Sequence, residues 1–309
     1  MAIKPPMLQP GDTIGVVALG SPLDPNVINE GVQTLRSMGF RVLIGRYAYG
    51  QSGITAATDE QRAADLMDMF RNDDVKLILS TRGGTGVAGI LPFLDYNFIR
   101  QHPKIVSGYS DVTILLNTLY ALSNLVTFNS LLLLDFTSGT PSFNFNQFFA
   151  VTSTTTAPRP IENPPGIPFV SRIKGNVTGP IVGGNLASLV DSLGTPYEID
   201  TRNKILYLEE THEPTNKVYR YLNHLKLAGK LDDSLGFVMG QCTECTVIYN
   251  TTYDDLINHF FVPLGKPLLT NLAGSHSYYK VAIPIGAVVT LNTEANILTI
   301  EEPTVTAGP

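Results

Sequence analysis

The stretch "KIVSGYSDVTILLNTLYAL", residues 104–122, decides how the first half of the chain is read. A short β-branched run ends in Ser-Gly-Tyr-Ser-Asp, and an apolar segment with helical spacing begins at once. A polar serine, Ser110, therefore stands between a buried strand and a helix. Two readings fit. Ser107, Ser110 or Asp111 is the helix N-cap, which favours such residues because their side chains accept from the free first-turn amides. Alternatively, Ser110 is a nucleophile on a sharp strand-to-helix turn that holds its hydroxyl out at the end of a sheet.

The surroundings repeat the same alternation. "DTIGVVALG" (12–20) is a continuous apolar run, as in a parallel strand buried on both faces. "PNVINEGVQTLRSMGF" follows with helical periodicity, then "RVLIG" as a second strand. "TDEQRAADLMDMFRNDD" opens with a capping box, Thr58 with Gln61. "VKLILST" is a third strand, "RGGTGVAGILPFL" turns into a helix, "KIVSGYS" is the fourth strand, and "LVTFNS" the fifth. The pattern predicts an α/β domain, an open parallel sheet wound with helices, with ligands outside the carboxyl ends of the strands. Residues 137–168 then turn rich in Ser, Thr and Pro, which places a linker near 152–170. Beyond it, β-like pieces interrupted by helices, ending in a hairpin around "NTEAN", predict a second, β-rich α+β domain. The expected domains are 1–165 and 170–309.

Composition narrows the function classes. The 309 residues carry a formal charge of −6, with 43% hydrophobic and 16% charged residues. That is a globular chain with no basic run for a phosphate backbone, so neither a nucleic-acid partner nor a membrane partner is expected. Prolines stand where a signal peptide would need its apolar core, and no segment approaches the ~20 uninterrupted apolar residues of a membrane span. A cytoplasmic protein is the expectation. The two cysteines, Cys242 and Cys245 in "QCTEC", lack a second pair for zinc and read as reduced structural thiols.

The chemistry concentrates at two strand ends. "STRGGTG" (80–86) allows close backbone approach to a ligand, but it fits neither a P-loop nor G-x-G-x-x-G. Its alternatives are plain turn chemistry or an oxyanion hole beside the next strand's serine. "SGYSD" departs from G-x-S-x-G, since Val112 replaces the second glycine, yet the helix starting directly after Ser110 aims the amide of Asp111 at a developing oxyanion. A serine nucleophile needs a base and an orienting acid. Of the five histidines, His102, His224 and His259 read as surface or helix residues; His276 lies in the loop "GSHSYYKVAIPIG", with His212 its rival. "ILYLEE" (205–210) ends in Glu209 and Glu210, the best source of the acid.

Taken together in order, "LQPGDTIGVVALGSP", "RGGTG", "HPKIVSGYSDVT", "GPIVGGNLASLVDSLGTPYEID", "ILYLEETHE", "LNHLKLAGKL" and "GSHSYYKVAIPIG" resemble the LD-carboxypeptidase family of serine peptidases. That family comprises murein tetrapeptide LD-carboxypeptidases and microcin C immunity proteins. The resemblance implies a flavodoxin-like N-terminal domain carrying the nucleophile Ser110, a C-terminal domain supplying Glu209 (not Glu210) and His276, often a homodimer, and no metal or cofactor. Amides of Asp111 and Gly84 would bind the oxyanion, and Arg82 a substrate carboxylate. The implied activity is cleavage of the L,D-peptide bond to a C-terminal D-alanine of a muropeptide in cell-wall recycling. The alternatives are hydrolysis of a microcin-like aminoacyl-nucleotide, or a non-catalytic pocket protein of the same fold. Thr85, Asn129, Ser130 and Tyr219 depart from the family's usual residues.

Overall fold

The computed structural model describes residues 1–308. The first half alternates as expected: β1 (Thr13–Val17), α1 (Pro25–Ser37), β2 (Arg41–Ile44), α2 (Asp59–Arg71), β3 (Val75–Ser80), α3 (Tyr96–Gln101), β4 (Ile105–Gly108), α4 (Thr113–Ser123) and β5 (Thr127–Asn129). These five strands are parallel, in the order β5-β4-β3-β1-β2. β1 and β4 are buried along their whole length, the reason their sequences read as unbroken apolar runs. The capping box closes as the sequence proposes: the Thr58 side chain accepts from the Gln61 amide, and the Gln61 side chain from the Thr58 amide. The single helix expected after "RGGTG" is instead a 3-10 helix, Val87–Phe93, followed by α3. Pro92 inside that segment has no amide to extend an α-helix.

The Ser-, Thr- and Pro-rich stretch 137–168, which includes most of the expected linker, is more structured than its composition implies. α5 (Ser142–Thr152) buries Phe148 and Val151, and β6 (Arg159–Ile161) joins the edge of the second sheet, where a proline is tolerated. The remaining elements are β7 (Val170–Ile173), β8 (Asn176–Asn185), α6 (Leu186–Val190), β9 (Ile205–Thr211), α7 (Thr215–Leu227), α8 (Lys230–Asp233), β10 (Gly236–Thr243), α9 (Tyr253–Phe260), β11 (Leu268–Leu272), β12 (Ile283–Ile285), β13 (Val288–Asn292) and β14 (Ile297–Ile300). The second sheet runs β6-β14-β13-β8-β9-β10-β11-β7, and its centre, β8 to β11, is parallel. β13 and β14 form the antiparallel terminal hairpin. β12 leaves this sheet and pairs antiparallel with β5, becoming an edge of the first sheet; Pro284 sits there opposite Phe128.

One apolar core joins the first sheet, its helices and part of the second sheet, with Val106, Leu115, Phe128, Tyr207, Leu272 and Ile283 among its residues. A smaller one packs α6, α7 and α9 against the outer face of the second sheet. No helix is long and apolar enough to cross a membrane among the described residues.

The loops at the carboxyl end of the first sheet are tied by a single cation. Arg62 is fully buried and donates to the carbonyls of Ala57 (3.1 Å), Gly86 (2.9 Å) and Leu19, and to Asp59. Arg62→Met removes these bonds, but the Ala57 carbonyl still accepts from Thr55 Oγ1 (3.0 Å) and the Gly86 carbonyl from the Gly89 amide (3.2 Å), which leaves the Leu19 carbonyl as the buried group deprived of its donor. The expected loss is about 1–3 kcal/mol in urea unfolding; no measurable loss would mean that water or a rearranged loop replaces the guanidinium.

Candidate active site

β4 ends at Gly108, and Ser110 adopts φ 63°, a left-handed conformation that side-chain-bearing residues avoid. Two of the three residues proposed as caps have their side chains engaged elsewhere, and the Ser110 side chain does not cap either. Ser107 Oγ donates to the Leu131 carbonyl (2.8 Å), and Asp111 Oδ2 accepts from the Val87 amide (2.8 Å). The single Ser188 hydroxyl proton is within reach of the Ser110 carbonyl (3.4 Å) and Asp111 Oδ1 (3.3 Å). Neither the 3-10 turn Ser110–Val112 nor α4 has a side-chain cap. The Val112 and Thr113 amides turn back onto the Tyr109 and Ser110 carbonyls, and no side chain accepts from the Asp111 amide at the start of the turn. Burial raises the carboxyl of Asp111 above its ordinary range, against the bond from Val87.

The glycine loop packs directly on this turn. A Cβ on Gly83 would lie 2.7 Å from Ser110 Cβ and 2.9 Å from both Ser110 Oγ and the Asp111 nitrogen. Gly84, at φ 83°, instead lies against Ser21. Ser21 Oγ accepts from the Thr85 amide (3.0 Å), and the Ser21 amide donates to the Gly83 carbonyl (3.0 Å). Arg82 is half-buried, and its Nε is buried with no hydrogen-bond partner.

The second sheet supplies the acid and the imidazole. Glu209 and Glu210 are both buried at the end of β9 and point to opposite faces, as strand alternation requires. Glu209 Oε2 accepts from His276 Nδ1 at 2.9 Å, while its Oε1 is buried without a partner. With Nδ1–H donating to a carboxylate, Nε2 of the neutral ring carries the lone pair. Glu210 faces the backbone instead, accepting from Asn185 Nδ2, the Ala187 amide and the Thr211 amide, each at 2.9 Å. Its carboxyl is pushed up to about 7, mainly by burial, against the bonds from Thr211 and Asn185 and with Glu209 adding to the rise.

Ser110 and His276 meet through Tyr109, whose ring lies edge-on to the imidazole at 5.1 Å between centroids. No hydrogen bond joins Ser110 Oγ to His276 among the described residues; such bonds are often long until substrate is seated. The Tyr109 hydroxyl donates to Asp135 Oδ1 (3.2 Å), and Lys280 Nζ lies 5.0 Å over the Tyr109 ring and 3.8 Å from Asp135. The phenol is raised well above its ordinary range by burial and then by Asp135, with Arg82 acting in the opposite sense. Sequence reasoning missed Gly83, Asp135, Lys280 and Asn144. Asn144, on α5, accepts from the Lys280 amide (2.8 Å) and donates to the Tyr278 carbonyl (3.1 Å), bracing the histidine loop. The rival His212 lies at the surface beside Glu244. His102 follows α3, and His224 and His259 lie on α7 and α9.

One expectation is corrected. Cys242 and Cys245 are joined in a disulfide rather than held as thiols. The chain leaving β10 turns through Glu244 at φ 56°, which brings the two α-carbons to 5.5 Å, inside the span a disulfide bridges.

Known proteins share the sequence pattern and fold of this chain. Residues 14–130 match the profile of the LD-carboxypeptidase N-terminal domain, and residues 178–291 that of the LD-carboxypeptidase C-terminal domain. A probable murein peptide carboxypeptidase of Bacillus subtilis is 35% identical over 306 residues, covering 96% of this chain and 94% of its own. The microcin C7 self-immunity protein MccF, solved in complex with aspartyl sulfamoyl adenosine, is similar with a TM-score of 0.92 and 25% identity over 98% of this chain and 100% of that one; its Escherichia coli sequence is 27% identical over 94% of each chain. The muramoyltetrapeptide carboxypeptidase of Oxalobacter formigenes is similar with a TM-score of 0.81 and 25% identity, over 96% of this chain and 100% of that one.

The raised Glu210 carboxyl generates a pH prediction. Between its ordinary value near 4.5 and about 7, the unfolded chain releases the proton that the folded chain retains. Stability from this residue therefore falls as pH rises through that window. Urea unfolding of wild type and Glu210→Gln at pH 5 and pH 8 should show the wild type losing ground to the variant at the higher pH. A difference that does not change with pH would mean that Glu210 is already ionised in the fold.

Proposed function

The chain belongs to the LD-carboxypeptidase family, and we propose that it is a serine-type LD-carboxypeptidase that releases the C-terminal D-alanine of murein tetrapeptides in cytoplasmic cell-wall recycling. The observation that carries this reading is the 2.9 Å hydrogen bond from His276 Nδ1 to the buried Glu209 Oε2, since it leaves Nε2 free as a base. In the proposed mechanism Ser110 Oγ attacks the carbonyl of the bond joining an L-centre to the terminal D-residue. His276 takes the hydroxyl proton and returns it to the leaving amine, while Glu209 fixes the ring and stabilises the imidazolium. The Asp111 amide, at the uncapped start of the helix, and the Gly84 amide, next in the chain after the glycine packed on Ser110, bind the oxyanion. Water then releases the acyl group with His276 as base.

A carboxypeptidase must also hold a free carboxylate. Arg82 supports that role: it adjoins the Gly83 contact, and its buried Nε lacks a partner that a carboxylate oxygen would supply. A second reading, hydrolysis of an aminoacyl-nucleotide, is favoured by the TM-score of 0.92 to MccF, whose structure holds aspartyl sulfamoyl adenosine. This chain has no tryptophan to lie under a base, which favours the peptide.

Ser110→Ala should lower kcat on L,D-tetrapeptides by on the order of 10³-fold or more with the fold intact, and Glu209→Gln should impair turnover severely while Glu210→Gln remains mild by comparison. Near-normal turnover by folded Ser110→Ala would remove the serine mechanism, and reversed effects of the two glutamates would move the acid to Glu210.

Substrate class follows from side-by-side kinetics on three compounds. The L,D-tetrapeptide should have a higher kcat/KM than an aminoacyl sulfamoyl adenosine. The all-L tetrapeptide should be poor, because inverting the terminal centre exchanges its methyl and carboxylate before Arg82. Preference for the adenosine compound would favour the immunity reading, and equal cleavage of the all-L peptide would exclude LD specificity.

A further inference from the structure

Three buried polar side chains outside the catalytic set form one chain of hydrogen bonds. The Tyr207 hydroxyl lies 3.2 Å from Ser275 Oγ, and Ser275 Oγ donates to Asn129 Oδ1 at 2.8 Å. The direction is fixed by chemistry: the single Ser275 proton goes to the carboxamide oxygen, so Tyr207 donates to Ser275. Burial raises the Tyr207 phenol well above its ordinary range, which keeps that proton in place. All three side chains are shielded from solvent, at 0%, 1% and 0% exposure for Tyr207, Ser275 and Asn129, so water cannot replace a lost link. Glycines enclose both ends: a Cβ on Gly274 would lie 2.7 Å from the Tyr207 oxygen, and one on Gly184 2.9 Å from Asn129 Nδ2.

Each member is attached to a different carrier of the active site. Tyr207 is two residues before Glu209 on β9. Ser275, at φ 51°, directly precedes His276. Asn129 ends β5 and pairs in the ladder with Gly108, two residues before Ser110. The chain Asn129–Ser275–Tyr207 therefore runs alongside Ser110–His276–Glu209 and crosses from the first sheet to the second at the same place.

We propose that Tyr207, Ser275 and Asn129 are positioning residues, a hydrogen-bonded relay that sets the place of His276 between Glu209 and Ser110 across the two sheets. The proposal rests on the serine-hydrolase reading of Ser110 above. The relay holds the backbone at Ser275 in a left-handed conformation from both sides, which fixes where the next residue projects its ring. The ring itself touches none of the three through a hydrogen bond; they act through the loop. Removing one link lets the loop relax and lengthens the proton's path from Ser110 to His276.

The test uses the full chain and a fluorophosphonate probe, so it does not depend on the natural substrate. Ser110 Oγ forms a bond to phosphorus, the P–F bond breaks, fluoride leaves, and His276 takes the hydroxyl proton. Tyr207→Phe keeps the ring and Ser275→Gly suits the positive φ, so each deletes one hydroxyl with little change in shape. Wild type should be labelled at Ser110. In both variants the limiting labelling rate should fall by on the order of 10-fold or more, the half-saturating probe concentration should hardly change, and the melting temperature should drop by no more than several degrees, so that each variant is folded at the assay temperature although buried partners lose a bond. The double variant should label no more slowly than Ser275→Gly alone, because the links are in series. Folded variants that label at the wild-type rate, or a double variant whose loss is the product of the single losses, would overturn the relay alone. A wild type with no labelling at Ser110 would overturn the serine reading and the relay with it.

Discussion

The structure is organised around one residue held where a side chain is disfavoured. A left-handed serine costs on the order of 1 kcal/mol relative to the usual helical or extended backbone, and Ser110 at φ 63° is held there by its surroundings. Strand β4 enters the turn fully buried, so the chain cannot shift along its own axis. Gly108 leaves no room for relaxation, since a Cβ there would meet Val112 at 2.9 Å and Leu132 at 3.0 Å. Asp111 is bonded to Val87 on one side and Ser188 on the other. Ser107 and Asp111, which have the chemistry to cap the following helix, are thereby drawn into supporting the turn, and no side chain caps the helix start.

The second sheet meets that turn with its own carboxyl end. Because β8 to β11 are parallel, the ends of β8 and β9 arrive together: Asn185 contacts Thr113 at the start of α4 (3.1 Å), and Glu209 reaches the imidazole. The alternation of the strand then divides two adjacent acids between unlike tasks, one aimed at a side chain in the cleft and one at backbone amides. Several buried polar atoms have no partner among the described residues, and Arg82 Nε and Glu209 Oε1 are two of them. Such groups weaken a fold by about 1–3 kcal/mol each. Both belong to the candidate site rather than to the surrounding core.

Much of this was legible in the sequence, for reasons that differ between residues. The first sheet could be read from continuous apolar runs because its strands are covered on both faces. The opposed directions of Glu209 and Glu210 follow from a period of two. Choosing Ser110 over an N-cap came from the family resemblance, which also added to the preference for His276 over His212 that its loop position had suggested, since a serine after a strand and a histidine in a loop have innocent explanations. The bracing of the histidine loop was not legible. Asn144 sits in a Phe- and Asn-rich stretch whose composition resembles a linker, and its helical character depends on Phe148 and Val151 finding a core. The disulfide also escaped, because two cysteines three apart carry no sign of whether the turn between them closes.

β12 has a consequence for how the molecule is made. The last strand of the sheet that carries Ser110 is encoded by residues 283–285, after six of the eight strands of the second sheet. A chain emerging from the ribosome can form β1 to β5 early, yet the edge of β5 remains bare until synthesis is almost finished. Closing such a distant pair carries a large loop entropy and belongs late in folding. The same event brings in Asn129's partner strand only a few residues after His276 itself. Assembly of the sheet and arrival of the imidazole are thus one step, and a partly synthesised chain contains Ser110 without His276.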